Sequence, residues 1–448
     1  MRHLLGCLII IINIMSVSKG IIGFSLAVIN IVLISFYFLL GYRKGKSLIQ
    51  LLIELMCYSI PLYSKDIFGK NYSASSPLSL FFLFSIFTII YIISIQFISR
   101  KKIVCYKRLN LLLLNSVILI IFTIGHACIV YTNESFSEGF NMIFFVTIIL
   151  FVILFDFDKS NIDYDGILKA YCNMCVCASI LLIIQATVQM FFGINIFNNP
   201  GNTDIYLFHG RLFSTLLYTD ISSATIGLTI GAYILLFKDK PKILNIVFSG
   251  IIVIGTVLSS ARTGFVTFLI LVVIRILKDS RKNIFKSIIY LVFFYFAYLI
   301  LINIMGSVRE GVNESLMNDN GRIVGYIHYF KMFLKKPFLG YGFGSWNLYT
   351  TIGQSHPMPH ISLLNLMNQS GIIYTILFSM LIIDIYLLTY KFKYSLEKDL
   401  IIFALVGSCM IPEIWSTKFV NIIIILPIIK YKLNIINNST IKVSELEE

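Results

Sequence analysis

Three arginines and one histidine are the residues of this chain best suited to chemistry: Arg211, Arg262, Arg322 and His360. Arginine presents a planar fork of N–H donors that pairs with two phosphate oxygens and stays charged at any working pH. Imidazole titrates near neutrality, so it can take a proton from a hydroxyl nucleophile or bind a phosphate. These residue types fit a diphosphate ligand and a proton transfer, provided that the fold brings them together.

Each of the four also has a structural interpretation that the sequence leaves open. Arg322 can contact lipid headgroups, or it can bind an anion together with the backbone N–H groups of a helix N-terminus. Arg262 can extend to the membrane interface, Arg211 can be a solvated loop residue, and His360 can be an interfacial hydrogen-bonding group. The functional interpretation therefore depends on whether the elements that carry these residues meet.

Those elements are expected to be membrane helices. The chain has 448 residues, of which 58% are hydrophobic and only 13% charged, whereas a soluble domain carries about 25% charged residues. Apolar runs of about 20 residues recur along it, and each can cross a bilayer as a helix. The sequence predicts an all-α, polytopic integral membrane protein, with about 12–14 transmembrane helices on the length criterion and one membrane domain over residues 1–448.

The distribution of basic residues predicts the orientation of these helices. The predicted spans lie near 3–18, 20–41, 47–63, 78–98, 110–131, 139–155, 168–192, 221–237, 243–260, 263–277, 285–305, 359–388, 400–414 and 418–433. With both termini in the cytoplasm, most of the 36 Lys and Arg residues fall at the inner ends of the spans, as the positive-inside rule requires. This orientation places Arg211, Arg262, Arg322 and His360 together on the outer side.

Two outer loops, 193–220 and 306–358, are much longer than the others, and long loops are often functional. Within the second loop, Gly321 to Lys336 reads GRIVGYIHYFKMFLKK, with apolar residues at helical spacing. We expect an amphipathic helix on the outer membrane surface, which Pro337 ends. The following GYGFGSW is expected to be a flexible turn back to the bilayer.

Several kinds of function are disfavoured. The net charge of +14 lies in short loops between spans, so it sets orientation and does not indicate nucleic-acid binding. No Walker or dinucleotide motif is present, and no outer acidic pair is spaced to hold a metal, so neither a cofactor nor a metal is predicted. Cys172, Cys175 and Cys177 are expected to be small packing residues.

Acidic residues inside predicted spans are functional hypotheses by default, because a carboxylate is costly there. Glu54, Asp384 and Glu413 are the visible cases, and they stand apart from one another in the sequence. Asp384 lies towards a predicted inner helix end. Glu413 lies near a predicted outer end, where it can join the site.

Three stretches of the chain resemble the bacterial O-antigen ligase and polysaccharide polymerase family of membrane glycosyltransferases. They are SSARTGFVTFLI at 259–270, with a small-residue, Arg, Thr and Gly turn; GRIVGYIHYFKMFLKKPFLGYGFGSW at 321–346, with an Arg-led helix and a Pro-Leu-Gly-x-Gly-x-Gly loop; and HISLLNLMNQSGIIY at 360–374, with spaced His360, Gly371 and Tyr374. The sequence departs from the ligases at Ile361, which favours a polymerase.

The resemblance implies a reaction and a location. The family acts on undecaprenyl-diphosphate-linked glycans at the outer leaflet of the bacterial cytoplasmic membrane and needs no metal or nucleotide sugar. A polymerase transfers the growing glycan to a sugar hydroxyl of a new lipid-linked repeat unit. Arg262 and Arg322 would hold the diphosphate, His360 would activate the hydroxyl or contact the diphosphate, and Arg211 would add a supporting contact. A chain-length regulator and a flippase are implied as partners.

Two alternatives remain open at the level of sequence. A ligase of the same family would transfer the glycan to lipid A–core instead of to another repeat unit. A transporter or flippase for lipid-linked oligosaccharide would instead show repeats, broken helices at mid-membrane and charges deep in the bundle.

Overall fold

The computed structural model describes most of the chain as α-helix, with no strand among the described residues. The described residues are 1–15, 21–63, 65–70, 78–99, 107–130, 133–155, 162–192, 221–238, 242–258, 262–279, 288, 292, 295, 299, 322–344, 361–391, 395–411 and 414–447. The predicted all-α class is confirmed for this part of the chain.

Most helices follow the apolar runs of the sequence, while the predicted span near 285–305 lies largely outside the described residues. The helices are α1 (Arg2–Met15), α2 (Ile21–Tyr42), α3 (Leu48–Ser59), α4 (Leu80–Ser99), α5 (Lys107–Ile129), α6 (Asn133–Leu154), α7 (Tyr164–Phe192), α8 (Ile221–Phe237), α9 (Ile243–Leu258), α10 (Arg262–Asp279), α11 (Arg322–Lys335), α12 (Ser362–Lys391), α13 (Ser395–Ser408) and α14 (Lys418–Glu447). Short 3₁₀ turns at Ile60–Leu62 and Ile414–Ser416 follow α3 and precede α14.

Four helices in the described part of the chain are long and apolar enough to cross a membrane. They lie within α2, α5, α7 and α12, at Ile22–Tyr42, Leu109–Ile129, Tyr164–Val188 and Ser362–Tyr390. Six further apolar helices are shorter, at 10–17 residues. The described part of the chain is thus α-helical and has four candidate membrane-spanning helices, while the total of about 12–14 spans, estimated from run length, stays a prediction.

The described helices form two compact units. Unit 1 comprises Met1–Thr88 and Ile162–Asn318, and unit 2 comprises Ile89–Asn161 and Asp319–Glu448. Each unit therefore combines an early and a late part of the chain. The prediction of one membrane domain over 1–448 stays a prediction.

Unit 1 is built around α7, which contacts α1, α3, α8 and α9. Small residues let the helix backbones approach each other. A Cβ atom added to Gly231 of α8 would lie 2.6 Å from the side chain of Cys175, and one added to Gly255 of α9 would lie 2.9 Å from Cβ of Ser179. Close packing through glycine and other small residues is a principal source of helix association in membranes.

The cysteine cluster of α7 belongs to this packing. Cys172, Cys175 and Cys177 are buried free thiols. The Sγ of Cys172 lies 3.8 Å from the carbonyl oxygen of Gly231, and that of Cys175 lies 3.7 Å from the carbonyl oxygen of Gly227. These cysteines act as small packing residues with weak S–H donors, as predicted.

Unit 2 is organised by α12, which contacts α5, α11, α13 and α14, and by the paired helices α5 and α6. The side chain of Asn115 in α5 donates a hydrogen bond to the carbonyl oxygen of Leu377 in α12, at 3.0 Å. The helix α12 has a break at Gly371, where φ is 77° and ψ is 177°. The break sets the geometry of the loop that follows α11.

Candidate functional site

The four residues predicted to carry the chemistry differ in what the structure says of them. Arg211 and His360 lie outside the described residues. Arg262 is the first residue of α10 in unit 1, and Arg322 is the first residue of α11 in unit 2. Both arginines thus begin a helix, where backbone N–H groups without intrahelical partners can bind an anion.

The predicted tight packing at the SSARTG stretch is present at Gly264, in the first turn of α10. A Cβ atom there would lie 2.3 Å from the backbone carbon of Thr225 in α8, so only glycine fits. The hydroxyl of Thr229 donates to the carbonyl oxygen of Gly264 at 3.2 Å. These contacts hold the start of α10 against the first turns of α8.

The Gly-rich loop after α11 docks onto the break in α12 through backbone hydrogen bonds. The N–H groups of Tyr341 and Gly342 donate to the carbonyl oxygens of Asn368 and Gln369, at 2.8 and 2.9 Å. The N–H of Ile372 donates to the carbonyl oxygen of Pro337 at 2.8 Å. The loop thus provides hydrogen-bond partners for backbone N–H and carbonyl groups that have none within the broken helix α12.

Two glycines make this docking sterically feasible. A Cβ atom on Gly371 would lie 2.0 Å from the carbonyl oxygen of Phe338, and one on Gly340 would lie 2.4 Å from the carbonyl oxygen of Asn368. Both glycines also have positive φ, at 77° and 64°. The expectation of a flexible turn at GYGFGSW was wrong for residues 340–344, because this part of the loop is held by backbone bonds.

The order of these contacts fixes the relative direction of α11 and α12. Leu364, early in α12, packs against the buried pair Tyr329 and Met332 of α11. Further along both segments, Pro337 meets Ile372. Both pairings advance in the same chain direction, so α11 and α12 begin at the same end of unit 2. Arg322 is the first residue of α11, and His360 shortly precedes α12 in the sequence.

A histidine that the sequence analysis did not consider supports the loop from α5. The Nε2 of His126 lies 2.6 Å from the carbonyl oxygen of Leu339. The imidazole ring meets Phe343 edge to face, with ring centroids 4.8 Å apart, and Phe343 meets Tyr374 in the same way at 5.3 Å. His126 and Leu339 are 213 residues apart, and the only sequence signal was a lone histidine in an apolar span.

The helix α11 has one buried side and one exposed apolar side. Tyr329, Met332 and Phe333 are buried. On the other side, Val324, Ile327, Phe330 and Leu334 are each at least 50% exposed. A helix is therefore present where it was predicted, and Ile327, Phe330 and Leu334, three of the residues whose spacing predicted it, lie on its exposed side. Its position on the outer membrane surface stays a prediction.

The acidic residues within apolar segments have different surroundings. Glu54 is fully buried in unit 1, where it accepts hydrogen bonds from Arg2 at 3.0 Å, Tyr37 at 2.6 Å and Gln50 at 2.7 Å. Asp384 of α12 has one buried carboxylate oxygen without a hydrogen-bond partner among the described residues. Glu413 lies outside the described residues.

Comparison with known proteins does not add a family to these observations. No protein-family model matches the chain, and no curated protein matches it.

Proposed function

We propose that the chain is a polymerase of undecaprenyl-diphosphate-linked oligosaccharide repeat units for a capsule, an O-antigen or a related surface polysaccharide. A broken helix is also one of the features expected of a transporter, but the backbone groups freed by the break in α12 are bonded to the Gly-rich loop, and this docking is the observation that carries the proposal. It joins two of the three stretches on which the family resemblance rests, through glycines at which any added Cβ atom would collide with the backbone. The reaction requires Arg322 and His360 at one site, and α11 and α12 begin at the same end of unit 2.

The proposed reaction is a glycosyl transfer at the outer leaflet. A hydroxyl oxygen of the acceptor sugar bonds to the anomeric carbon of the donor glycan while the bond from that carbon to the diphosphate oxygen breaks. His360 takes the hydroxyl proton. Arg322 and Arg262 hold the diphosphate and stabilise the charge with which it leaves, and Arg211 adds a supporting contact. The reaction balances without a metal or a nucleotide sugar.

The exposed apolar side of α11 supports a position at the membrane surface. An amphipathic helix with apolar residues on one side and lysines near them lies in the interface with its apolar face in the acyl region. Lys331 and Lys335 are exposed beside the apolar side chains of α11. In this position Arg322, at the first turn, is level with lipid headgroups and with the diphosphate of a lipid-linked donor.

The proposal includes a topology. About 12–14 helices cross the bacterial cytoplasmic membrane, as run lengths indicate, both termini lie in the cytoplasm and the site faces outward. The basic residues of the short loops support this orientation. The donor and acceptor are lipid-linked glycans, and a chain-length regulator and a flippase are the proposed protein partners.

A reconstituted reaction tests the proposal directly. Purified protein in nanodiscs is given lipid-diphosphate-linked repeat units from the native host, and the products are separated on a gel and identified by mass. A ladder spaced by one repeat unit is the expected result. Transfer only after lipid A–core is added would identify a ligase, and movement of the substrate across the bilayer without any ladder would identify a transporter.

Two variants and a control test the site. Arg322→Ala and His360→Ala should each lower polymer formation by about 100-fold or more, the effect of losing a group that stabilises transition-state charge. Lys331→Ala removes a cation from the same helix as Arg322 and should leave the ladder intact. Normal long chains from Arg322→Ala, at unchanged membrane insertion, would contradict the site assignment.

A further inference from the structure

Unit 1 contains two adjoining cavities that share His3, Asn173 and Phe248 in their walls. One has a volume of about 570 Å³ and lies where α1, α7 and α9 begin and α8 ends. The other has a volume of about 580 Å³ and extends along α1 and α7. The first is called the polar cavity here and the second the apolar cavity.

The polar cavity has an excess of positive charge. Two carboxylates line it, but each is already paired. Asp163 lies 2.6 Å from the Nζ of Lys46, and Asp165 lies 2.9 Å from the Nζ of Lys238. Three further cationic side chains line the same cavity, and they belong to Arg2, Lys169 and Lys242.

Arg2 retains hydrogen-bonding capacity in this wall. Its Nη2 donates to Glu54 at 3.0 Å, and its side chain is only 6% exposed. The Nε and Nη1 atoms are buried without a hydrogen-bond partner among the described residues. A buried guanidinium with two unpaired nitrogen atoms is costly, and a negative charge in the cavity beside it would lower that cost.

The apolar cavity has the chemistry of an acyl-chain site. Leu4, Ile11 and Met15 line it from α1, and Ile180 and Ile184 line it from α7. Leu4 to Met15 covers about 16 Å along the helix axis, at 1.5 Å per residue. A long apolar cavity that continues from a cationic one matches a molecule with an anionic head and a hydrocarbon tail.

We propose that these two cavities bind one anionic phospholipid, with its phosphate in the polar cavity and an acyl chain in the apolar cavity. The predicted orientation places the polar cavity at the cytoplasmic side, where it is open to lipids of the inner leaflet. Basic pockets between membrane helices on that side are suited to anionic headgroups. The inference is independent of the proposed polymerase reaction, which takes place on the outer side.

Native mass spectrometry of the purified full-length protein tests the proposal. The protein is titrated with phosphatidylglycerol, with phosphatidylcholine of the same acyl chains, and with glycerol 3-phosphate. Phosphatidylglycerol is expected to bind most tightly. Equal affinity for the two lipids would overturn the assignment of an anionic head. Glycerol 3-phosphate binding as tightly as phosphatidylglycerol would overturn the assignment of a tail.

The charge contribution is tested with exposed lysines, which can be replaced without disturbing the core. The double variant Lys169→Ala/Lys242→Ala should weaken phosphatidylglycerol binding by about tenfold, since each basic residue near an anionic headgroup contributes several-fold in affinity. The control is Lys70→Ala/Lys278→Ala, which removes two exposed cations of unit 1 that line neither cavity. Equal affinities of the two double variants would overturn the proposal.

The tail site is tested by filling it. Ile180→Trp places a bulky side chain at the wall of the apolar cavity and should weaken phosphatidylglycerol binding. Ile246→Trp in α9 is the matched control, because Ile246 is an exposed apolar residue of unit 1 outside both cavities. A thermal unfolding measurement establishes that both variants are folded. Unchanged lipid affinity in a folded Ile180→Trp protein would exclude an acyl chain from this cavity.

Discussion

Units 1 and 2 both bury polar groups among apolar helices, and they satisfy these groups in different ways. In unit 1, the carboxylate of Glu54 accepts hydrogen bonds from three side chains that belong to α1, α2 and α3. In unit 2, the break of α12 is satisfied by the backbone of the loop after α11, through bonds at Tyr341, Gly342 and Ile372. The network around Glu54 in unit 1 therefore depends on the identity of its side chains. The docking of the loop on α12 in unit 2 depends on glycines, which have no side chain.

The difference determines which substitutions each region can tolerate. A side-chain network can be replaced as a whole, because an apolar set of similar volume removes the polar atoms together. A backbone contact cannot be replaced in this way, since Gly371 meets the carbonyl group of Phe338 and no substitution removes a carbonyl. Paired substitutions should therefore rescue unit 1 and should not rescue unit 2.

The largest effect is expected at Glu54. Glu54→Ala leaves the buried guanidinium of Arg2 without its partner and should lower the free energy of unfolding by about 3–5 kcal/mol. The double variant Arg2→Met/Glu54→Leu removes both charges and should cost far less, or stabilise the protein. Unfolding in detergent of Arg2→Met, Glu54→Leu and the double variant, compared with the wild type, gives a complete double-mutant cycle. A double variant as unstable as Glu54→Ala would break the comparison, because the buried ion pair of Arg2 and Glu54 would then be no more replaceable than the backbone contact.

The next effect is expected at Gly371. An alanine there must adopt a positive φ, and its Cβ must displace the carbonyl oxygen of Phe338. These strains together should cost roughly 2–4 kcal/mol and should expose residues 337–344 to limited proteolysis. Gly125→Ala in α5 is the matched control, since its Cβ would meet nothing within 4 Å and alanine favours a helix by about 1 kcal/mol over glycine. An intact, protease-resistant loop in Gly371→Ala would show that the docking does not depend on this glycine.

The sequence predicts most helices of both units well, because they are long apolar runs that end at polar or helix-breaking residues. One exception is α14, which was predicted over 418–433 and continues past Pro427 and through a polar stretch to Glu447. For α8 the predicted range, 221–237, equals the observed Ile221–Phe237. The sequence also indicated the glycines of the loop, since a spaced Pro-Leu-Gly-x-Gly pattern is typical of a backbone that turns. The sequence did not indicate which helix the loop packs against.

The long-range partners could not be predicted, for a physical reason. Arg2 and Glu54 are separated by 52 residues, and their pairing follows from how α1 packs in unit 1. The amphipathic pattern of α11 predicted a helix but left open which side of it faces the protein. The exposed side proved to be the one that carries the apolar spacing, because Tyr329 and Met332 take the buried side. The meeting of Arg211, Arg262, Arg322 and His360 stays a prediction.

The smallest effect is expected at Lys65, which binds the free backbone carbonyl groups at the end of a helix in unit 1. Lys432 does the same in unit 2. The Nζ of Lys65 donates to the carbonyl oxygens of Asn13 and Ile14 at the end of α1, at 2.7 and 3.2 Å. In unit 2, the Nζ of Lys432 donates to the carbonyl oxygen of Ile153 at 2.5 Å. Cations are favoured at helix C-termini in this way, so the two units agree here even though they differ in how they satisfy groups within their cores.

Burial lowers the pKa of Lys65 from 10.5 to about 8, which predicts how stability depends on pH. Between pH 8 and 10.5 the unfolded chain holds this proton and the folded protein has lost it. The contribution of Lys65 to the free energy of unfolding therefore rises with pH through this range and is lost as the pH falls below 8. Relative to Lys65→Met, the wild-type free energy of unfolding should rise by about 0.7 kcal/mol between pH 7.5 and 8.5.

Lys70→Met removes an exposed lysine of the same loop and serves as the control for the loss of one charge. If the difference in free energy of unfolding between the wild type and Lys65→Met does not change with pH, Lys65 keeps its proton. Its bonds to α1 would then be charge-assisted throughout this range.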